Sequence, residues 1–164
     1  MSGSGSVLGV SDVEIRPIRQ DDAGEVMTLQ RAAFVTEAQI YDDPHMPVFT
    51  QTLDEVRLEL EENLGCVAVR GARIVGAARA RADGALLLIG RIAIAPDQQG
   101  EGIGSLLLAA IEERGREAGC TEAELFTGSL SEANLRLYER EGYRESERIP
   151  GEGSDQIFLR KPLA

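Results

Sequence analysis

The sequence predicts a single α/β domain, and three observations carry that reading. An apolar strand, Ile92-Ala93-Ile94, runs through Pro96 and a glycine-spaced turn into an amphipathic helix that begins near Gly102. Ahead of it, strand-like runs are joined by tight-turn signals at Gly71-Ala72 and Asp83-Gly84. After it, short strands alternate with a helical segment closed by Gly142. A chain of 164 residues can bury one core, and its 43% hydrophobic share is ordinary for a soluble globular protein.

Residues 1–11 are rich in Ser and Gly and are expected to form a mobile tail, leaving 12–164 as the domain. Val13–Ile18 alternates apolar and polar side chains as a half-buried strand does, and Asp21 and Asp22 then cap a helix through about Phe34. Thr52-Leu53-Asp54-Glu55 is a capping box that opens a second helix to about Asn63. Between them, Val35–Gln51 contains Pro44 and Pro47 and reads as a long irregular connection, a kind of segment that often carries function. Cys66–Arg70 and Arg73–Arg81 form a hairpin, and Asp83-Gly84 turns the chain into a third antiparallel strand, Ala85–Ala95. Gly102–Ala118 has the helical spacing Ile103, Leu106, Leu107, Ala110, Ile111 and stops at Gly119. Glu122–Thr127 is a short strand, Ser131–Glu141 a helix, and Tyr143–Arg148 and Gln156–Arg160 a closing pair of strands.

A net charge of −11 opposes nonspecific binding to nucleic acid or an anionic membrane and favours cationic partners. No apolar stretch approaches the ~20 residues of a membrane span, and the first residues lack the basic start and apolar run of a secretion signal, so the cytoplasm is the expected location. Cys66 and Cys120 are far apart in apolar surroundings and read as buried thiols, with no disulfide framework and no metal site.

The turn Gln99-Gly100-Glu101-Gly102-Ile103-Gly104 offers two readings. It is a phosphate cradle, in which glycines permit positive φ and the first N–H groups of the helix point at an anion, or it is a tightly packed strand-to-helix connection. A Walker loop is excluded, because Ser105 and Leu106 stand where Lys and Ser or Thr are required. A dinucleotide fingerprint would place bulky Leu107 where a third small residue belongs, although Glu122 and Glu124 lie at the spacing of a ribose-binding acid. The second informative run is Asn134-Leu135-Arg136-Leu137-Tyr138-Glu139, ending in Gly142-Tyr143. Asn134 and Tyr138 are four apart and share a helix face, either as a polar pair turned to a ligand or as a helix-start residue and a packing tyrosine.

Taken together, in this order and spacing, the two segments resemble the Gcn5-related N-acetyltransferase (GNAT) family. Gln99 through Gly104 fits that family's Gln/Arg-x-x-Gly-x-Gly/Ala loop, the Asn134 to Tyr143 run fits its later helix and strand, and the likeness extends from about Val13 to Lys161. The resemblance implies a mixed, mostly antiparallel central sheet flanked by helices and splayed between the fourth and fifth strands. It implies acetyl-CoA as co-substrate, with the backbone of Ile92, Ala93 and Ile94 pairing with the pantetheine arm. Backbone N–H groups of Gln99, Gly100, Glu101, Gly102, Ile103, Gly104 and Ser105 would hold the pyrophosphate, and an amide near Ile94 would polarise the thioester. Asn134 would steady the arm and the Tyr138 hydroxyl would lie near the sulfur.

Direct attack by an amine creates negative charge on the thioester oxygen, which preorganised N–H groups stabilise by ~3–4 kcal/mol per good donor. A thiol pKa of ~8.5 against ~10 for Tyr makes Tyr138 the expected proton donor to the departing sulfur. The protonated amine must first lose a proton, and here the sequence departs from many relatives. Leu86–Ala95 carries no acid, and Arg91 is its only charged residue. The candidate bases therefore lie in Val35–Gln51, where Glu37, Tyr41, Asp42, Asp43 and His45 cluster, and at Glu124 on the facing strand, with His45 and Glu37 put forward as bases. Asp42, Asp43 and Glu124 are candidates for holding a cationic acceptor, and each also reads as an ordinary solvated acid. The expected activity is acetyl transfer to a primary amine, on a small molecule or a peptide, without a metal, with a homodimer left open. The alternative is an acyl-CoA-binding sensor with little catalysis.

Overall fold

The computed structural model describes residues 12–163, and the tail expected at 1–11 lies outside the described residues. The strands are β1 (Val13–Pro17), β2 (Leu64–Arg70), β3 (Arg73–Asp83), β4 (Leu86–Ile94), β5 (Glu122–Gly128), β6 (Arg144–Ile149) and β7 (Gln156–Pro162). The α-helices are α1 (Ala23–Ala33), α2 (Val35–Tyr41), α3 (Pro47–Thr50), α4 (Leu53–Glu62), α5 (Ile103–Glu117) and α6 (Glu132–Arg140). The strands make one 7-stranded sheet in the order β1-β2-β3-β4-β5-β7-β6. Only β4 and β5 are parallel, so the sheet is mixed and mostly antiparallel.

The parallel pair is short. It holds from Leu86↔Glu122 to Leu88↔Glu124, whereas β4 continues to Ile94 and β5 to Gly128. A bulge coincides with the divergence: Ala77 faces Ala93 and Arg79 faces Gly90, so Arg91 and Ile92 together oppose Ala78. Arg91 adopts φ 53, and such a bulge bends its strand. The result is a V-shaped gap between β4 and β5.

Each sheet face is covered by a helix whose apolar stripe the sequence supplies. On one side α5 buries Ile103, Leu107, Leu108 and Ile111 against Val75, Leu87, Ile89, Ala123 and Leu125. On the other, α1 sets Val26 and Leu29 on Val67, Ile74, Ala77, Ala93 and Ala95, and α4 packs through Val56 and Leu60. Strand alternation divides β4 between the two: Ala93 turns to α1, Ile92 and Ile94 to the α5 side.

Two expectations need correction. The segment Val35–Gln51 is not irregular, because it contains α2 and the single turn α3. Helix α2 buries no residue fully and carries β-branched Val35, Thr36 and Ile40, so it has neither strong propensity nor an apolar stripe to announce it. Asp22 precedes α1 as expected, but its carboxylate turns back, accepting from Arg19 N at 2.7 Å and from Arg16 at 2.8 and 2.9 Å. The capping box at Thr52 and Glu55 forms as read. Cys66 and Cys120 are buried free thiols, and burial pushes the Cys66 thiol up. Among the described residues no helix is long and apolar enough to cross a membrane.

Candidate active site

The chain leaves β4 through Ala95, makes a short 3₁₀ turn at Pro96–Gln98, and enters α5 through Gly100 at φ 80 and Gly102 at φ 88. Both values lie in the left-handed region that only glycine adopts without strain. The turn is tethered from the side by Arg70, which donates to Gln98 and, at 3.1 Å, to Glu101. None of the backbone N–H groups from Gln99 through Ser105 donates to an acceptor among the described residues. They open the N-terminal end of a 15-residue helix, where the dipole favours an anion.

The free edge of β4 supplies a second row of backbone groups. Ala95 N donates to Val75 O at 2.9 Å, so by two-residue alternation Ala93 also faces β3 while the N–H and C=O of Ile94 face the gap. A cleft of about 640 Å³ fills this gap and runs onto the glycine turn. Its walls include Ile92, Ala93 and Ile94 from β4 and Gln99, Gly100, Gly102, Ile103, Gly104 and Ser105 from the turn. The far wall is α6, through Asn134, Leu137, Tyr138 and Arg140, and the roof is the junction of α1 and α2, through Phe34, Thr36 and Glu37. Glu101 itself does not line the cleft, being drawn toward Arg70. The Ser105 hydroxyl is committed to Glu141 at 2.8 Å.

Tyr138 is 6% exposed, and its hydroxyl has no hydrogen-bond partner among the described residues although the residue lines the cleft. Burial, and then the negative charge of Glu37, push its phenol above the ordinary tyrosine range. The phenol therefore stays protonated at neutral pH. Asn134 Nδ2 lies 3.5 Å from both Glu37 Oε1 and Thr127 Oγ1, so the pair on one face of α6 points into the cleft.

Glu37 is the acid that the fold brings to this place. The buried Ser131 hydroxyl donates to Glu37 Oε2 at 2.6 Å and lies 2.6 Å from the Tyr41 hydroxyl. Because Ser131 has one proton and gives it to the carboxylate, Tyr41 is the donor in the second contact. The Tyr41–Ser131–Glu37 chain thus pins α2 to the start of α6. Ser131 was legible in the sequence only as a helix start, since the partner that defines its role is 94 positions away.

The remaining candidates lie elsewhere. His45 is exposed, its backbone N–H accepted by Asp43 at 3.0 Å, and it lines neither this cleft nor the second hollow of the molecule. Asp42 is exposed at the left-handed end of α2. Asp43 lines that second hollow, with Tyr41, Phe126 and Ile149. Glu124 sits at the closed end of the V and is held by Arg160 at 2.9 Å.

Comparison with known proteins agrees with this architecture. A sequence model of the acetyltransferase (GNAT) family matches residues 26–143. Over 58 residues the chain is 41% identical to an aminoalkylphosphonate N-acetyltransferase of Salmonella typhimurium, a segment covering 35% of this chain and 38% of that protein. The alignment therefore spans well under half of that relative. The PaiA N-acetyltransferase of Thermoplasma acidophilum, solved with coenzyme A, superposes with a TM-score of 0.78 at 16% identity, covering 92% of this chain and 98% of the other. YncA of Salmonella typhimurium, solved with acetyl-CoA, gives a TM-score of 0.74 at 19% identity over 93% and 95% of the two chains. With the family model spanning most of the sequence and the splayed sheet in place, the chain belongs to the GNAT family of acetyltransferases.

Proposed function

We propose that this protein moves an acetyl group from acetyl-CoA to a primary amine by direct attack, with no covalent enzyme intermediate. The observation that supports it best is the unbroken run of backbone N–H groups from Gln99 through Ser105 that have no acceptor among the described residues, at the mouth of a gap edged by β4. A diphosphate fits such a run, because both the amides and the helix dipole favour negative charge there. The outward N–H of Ile94 is then the donor to the thioester oxygen, and the edge of β4 is the partner of the pantetheine amides.

In this scheme Glu37 takes a proton from the acceptor ammonium, directly or through one water, held in place by Ser131 and Tyr41. The amine nitrogen bonds to the carbonyl carbon and the oxygen gathers charge at Ile94; the nitrogen then loses its surplus proton to water, and the C–S bond breaks as Tyr138 donates to the departing sulfur. Even between unperturbed groups, proton transfer from a phenol to a thiolate is uphill by about 2 kcal/mol. The raised phenol makes full transfer harder still, so Tyr138 acts first as a hydrogen-bond donor to the developing thiolate and is reprotonated from solvent after any transfer. The test is free-thiol release from acetyl-CoA in the presence of a panel of primary amines. Turnover with at least one amine supports the reading, whereas acetyl-CoA binding without turnover across a chemically broad panel would overturn it in favour of a sensor.

A further inference from the structure

Between α1, α4, β3 and β4, beside the cleft, lies a buried polar cluster that the acetyl-transfer chemistry does not use. Arg79 of β3 has a side chain only 5% exposed; it donates to Gln30 of α1 and lies 3.3 Å from Glu59 of α4. Arg91 of β4 is 3.9 Å from the same carboxylate. Gln51 donates its side-chain amide to Glu59, and its backbone carbonyl accepts from Arg31 at 2.9 Å. Arg31, Arg79 and Arg91 against the one carboxylate of Glu59 leave the cluster net positive, inside a protein of net charge −11.

The cluster is also short of acceptors. The buried side-chain polar atoms without a partner among the described residues are Gln30 Nε2, Arg31 Nε, Gln51 Oε1, Arg70 Nη2 and Arg79 Nη1. All but Arg70 Nη2 belong here, and Gln30 Nε2, Arg31 Nε and Arg79 Nη1 are donors. Leaving buried donors unpaired costs free energy, so such a grouping in a native fold calls for an acceptor. Burial pulls Arg79 down to about 10; Glu59 opposes that fall, and Arg91 adds to it by a smaller amount.

Its position is what gives the cluster a function. Arg91 lies in the bulge on the edge of β4 that faces the gap, immediately before Ile92 of the cleft wall. Gln30 lies one helical turn before Phe34, which forms the cleft roof. A strand rises at most about 3.3 Å per residue, so Arg91 stands within roughly 10 Å of Ile94 along β4, a span that a small amine with an anionic end can bridge. We infer that half-buried Arg91, backed by the buried positive cluster of Arg79, Gln30 and Arg31, is the recognition point for an oxyanion carried by the acceptor, so that the acceptor is a short amine with a carboxylate or phosphonate at its other end. This rests on the acetyl-transfer reading above. Charge-assisted, two-pronged pairing of a guanidinium with a carboxylate or phosphonate is the chemistry such a site supplies.

Two measurements test it. In thiol release, 2-aminoethylphosphonate and β-alanine should exceed propylamine in kcat/KM by about 10-fold or more, the range of charge-assisted hydrogen bonds, and their order tells phosphonate from carboxylate. Arg91→Ala, at a half-buried position that folding tolerates better than Arg79, should bring the three amines together while leaving the KM for acetyl-CoA unchanged. Independently of turnover, methylphosphonate or acetate should raise the melting temperature of the wild type more than chloride does at equal ionic strength, and lose that effect in Arg91→Ala. Propylamine acetylated as well as the anionic amines, parallel losses for all three in the variant, or no stabilisation by either anion would overturn the inference. Calorimetry with acetyl-CoA on the same protein separates this failure from a failure of the acetyl-transfer reading: heat of binding with no anion preference rejects the site alone.

Discussion

Replacing Tyr138 with Phe removes one oxygen and leaves the ring. That oxygen has no partner among the described residues, and the ring keeps its edge contact with Tyr143 at a centroid distance of 6.3 Å. No protein hydrogen bond is broken, so the folding free energy should change by no more than about 0.5 kcal/mol. Proton donation in a transition state is worth about 10²–10⁴ in rate. Because burial and Glu37 make this phenol a weaker acid than usual, the loss should lie at the low end, about 100-fold in kcat, or about 2.7 kcal/mol in the barrier. The assay pairs kcat from thiol release at saturating acetyl-CoA with the Kd for coenzyme A from calorimetry. The expected pattern is a fall in kcat with Kd within about 2-fold of wild type. A fall of equal size in both, or unaltered kcat, would refute the role given to the hydroxyl and leave Tyr138 as packing.

Other outcomes follow from the same geometry. Since the Tyr138 phenol is raised, it stays protonated as pH climbs, so kcat should show no descending limb between pH 7 and 10; a limb inside that window would contradict the assignment. Glu37→Gln should lower kcat by about 100-fold at pH 7 and recover toward wild type above the pKa of the acceptor amine, where no base is needed, whereas a loss constant with pH would mean a structural role. Asp22 is held below the usual carboxylate range, chiefly by the Arg16 guanidinium and then by Arg19 N–H. Its ionised form therefore stabilises the fold above the unfolded value near ~3.9, and that stability is lost as pH falls through the lower folded value. Asp22→Asn should cost about 2–3 kcal/mol at pH 7 in denaturant unfolding, with the gap to wild type closing below about pH 4; a gap that persists there would contradict the ion-pair account.

The parts of this molecule that were legible in its sequence are those whose signals are local. The glycines at 100, 102 and 104 mark the turn into α5, the spacing from Ile103 to Ile111 gives its buried stripe, and Asn134 and Tyr138 share a face because a helix repeats every 3.6 residues. The meander of β2, β3 and β4 is announced by its turns. Helix α2 escaped, because Val35, Thr36 and Ile40 are poor helix formers and its contacts are made by polar residues reaching distant elements. The insertion of β7 between β5 and β6 escaped for a different reason: it depends on pairings such as Leu125↔Leu159 that no local pattern encodes. The same holds for the site. Glu37 was one of several acids in its segment until Ser131 and Asn134 met it, and His45 shared that segment without reaching the cleft. Arg79 and Arg91 became neighbours only through the bulge that pairs Arg79 with Gly90.

The account depends above all on backbone amides holding coenzyme A. Titration of ¹⁵N-labelled protein with coenzyme A, followed by amide resonances, reads those groups one by one. The amides of Gln99 through Ser105 should shift most, together with Ile94, and NAD should not reproduce the pattern. Saturating coenzyme A that leaves those resonances in place, or shifts gathered elsewhere on the molecule, would contradict it.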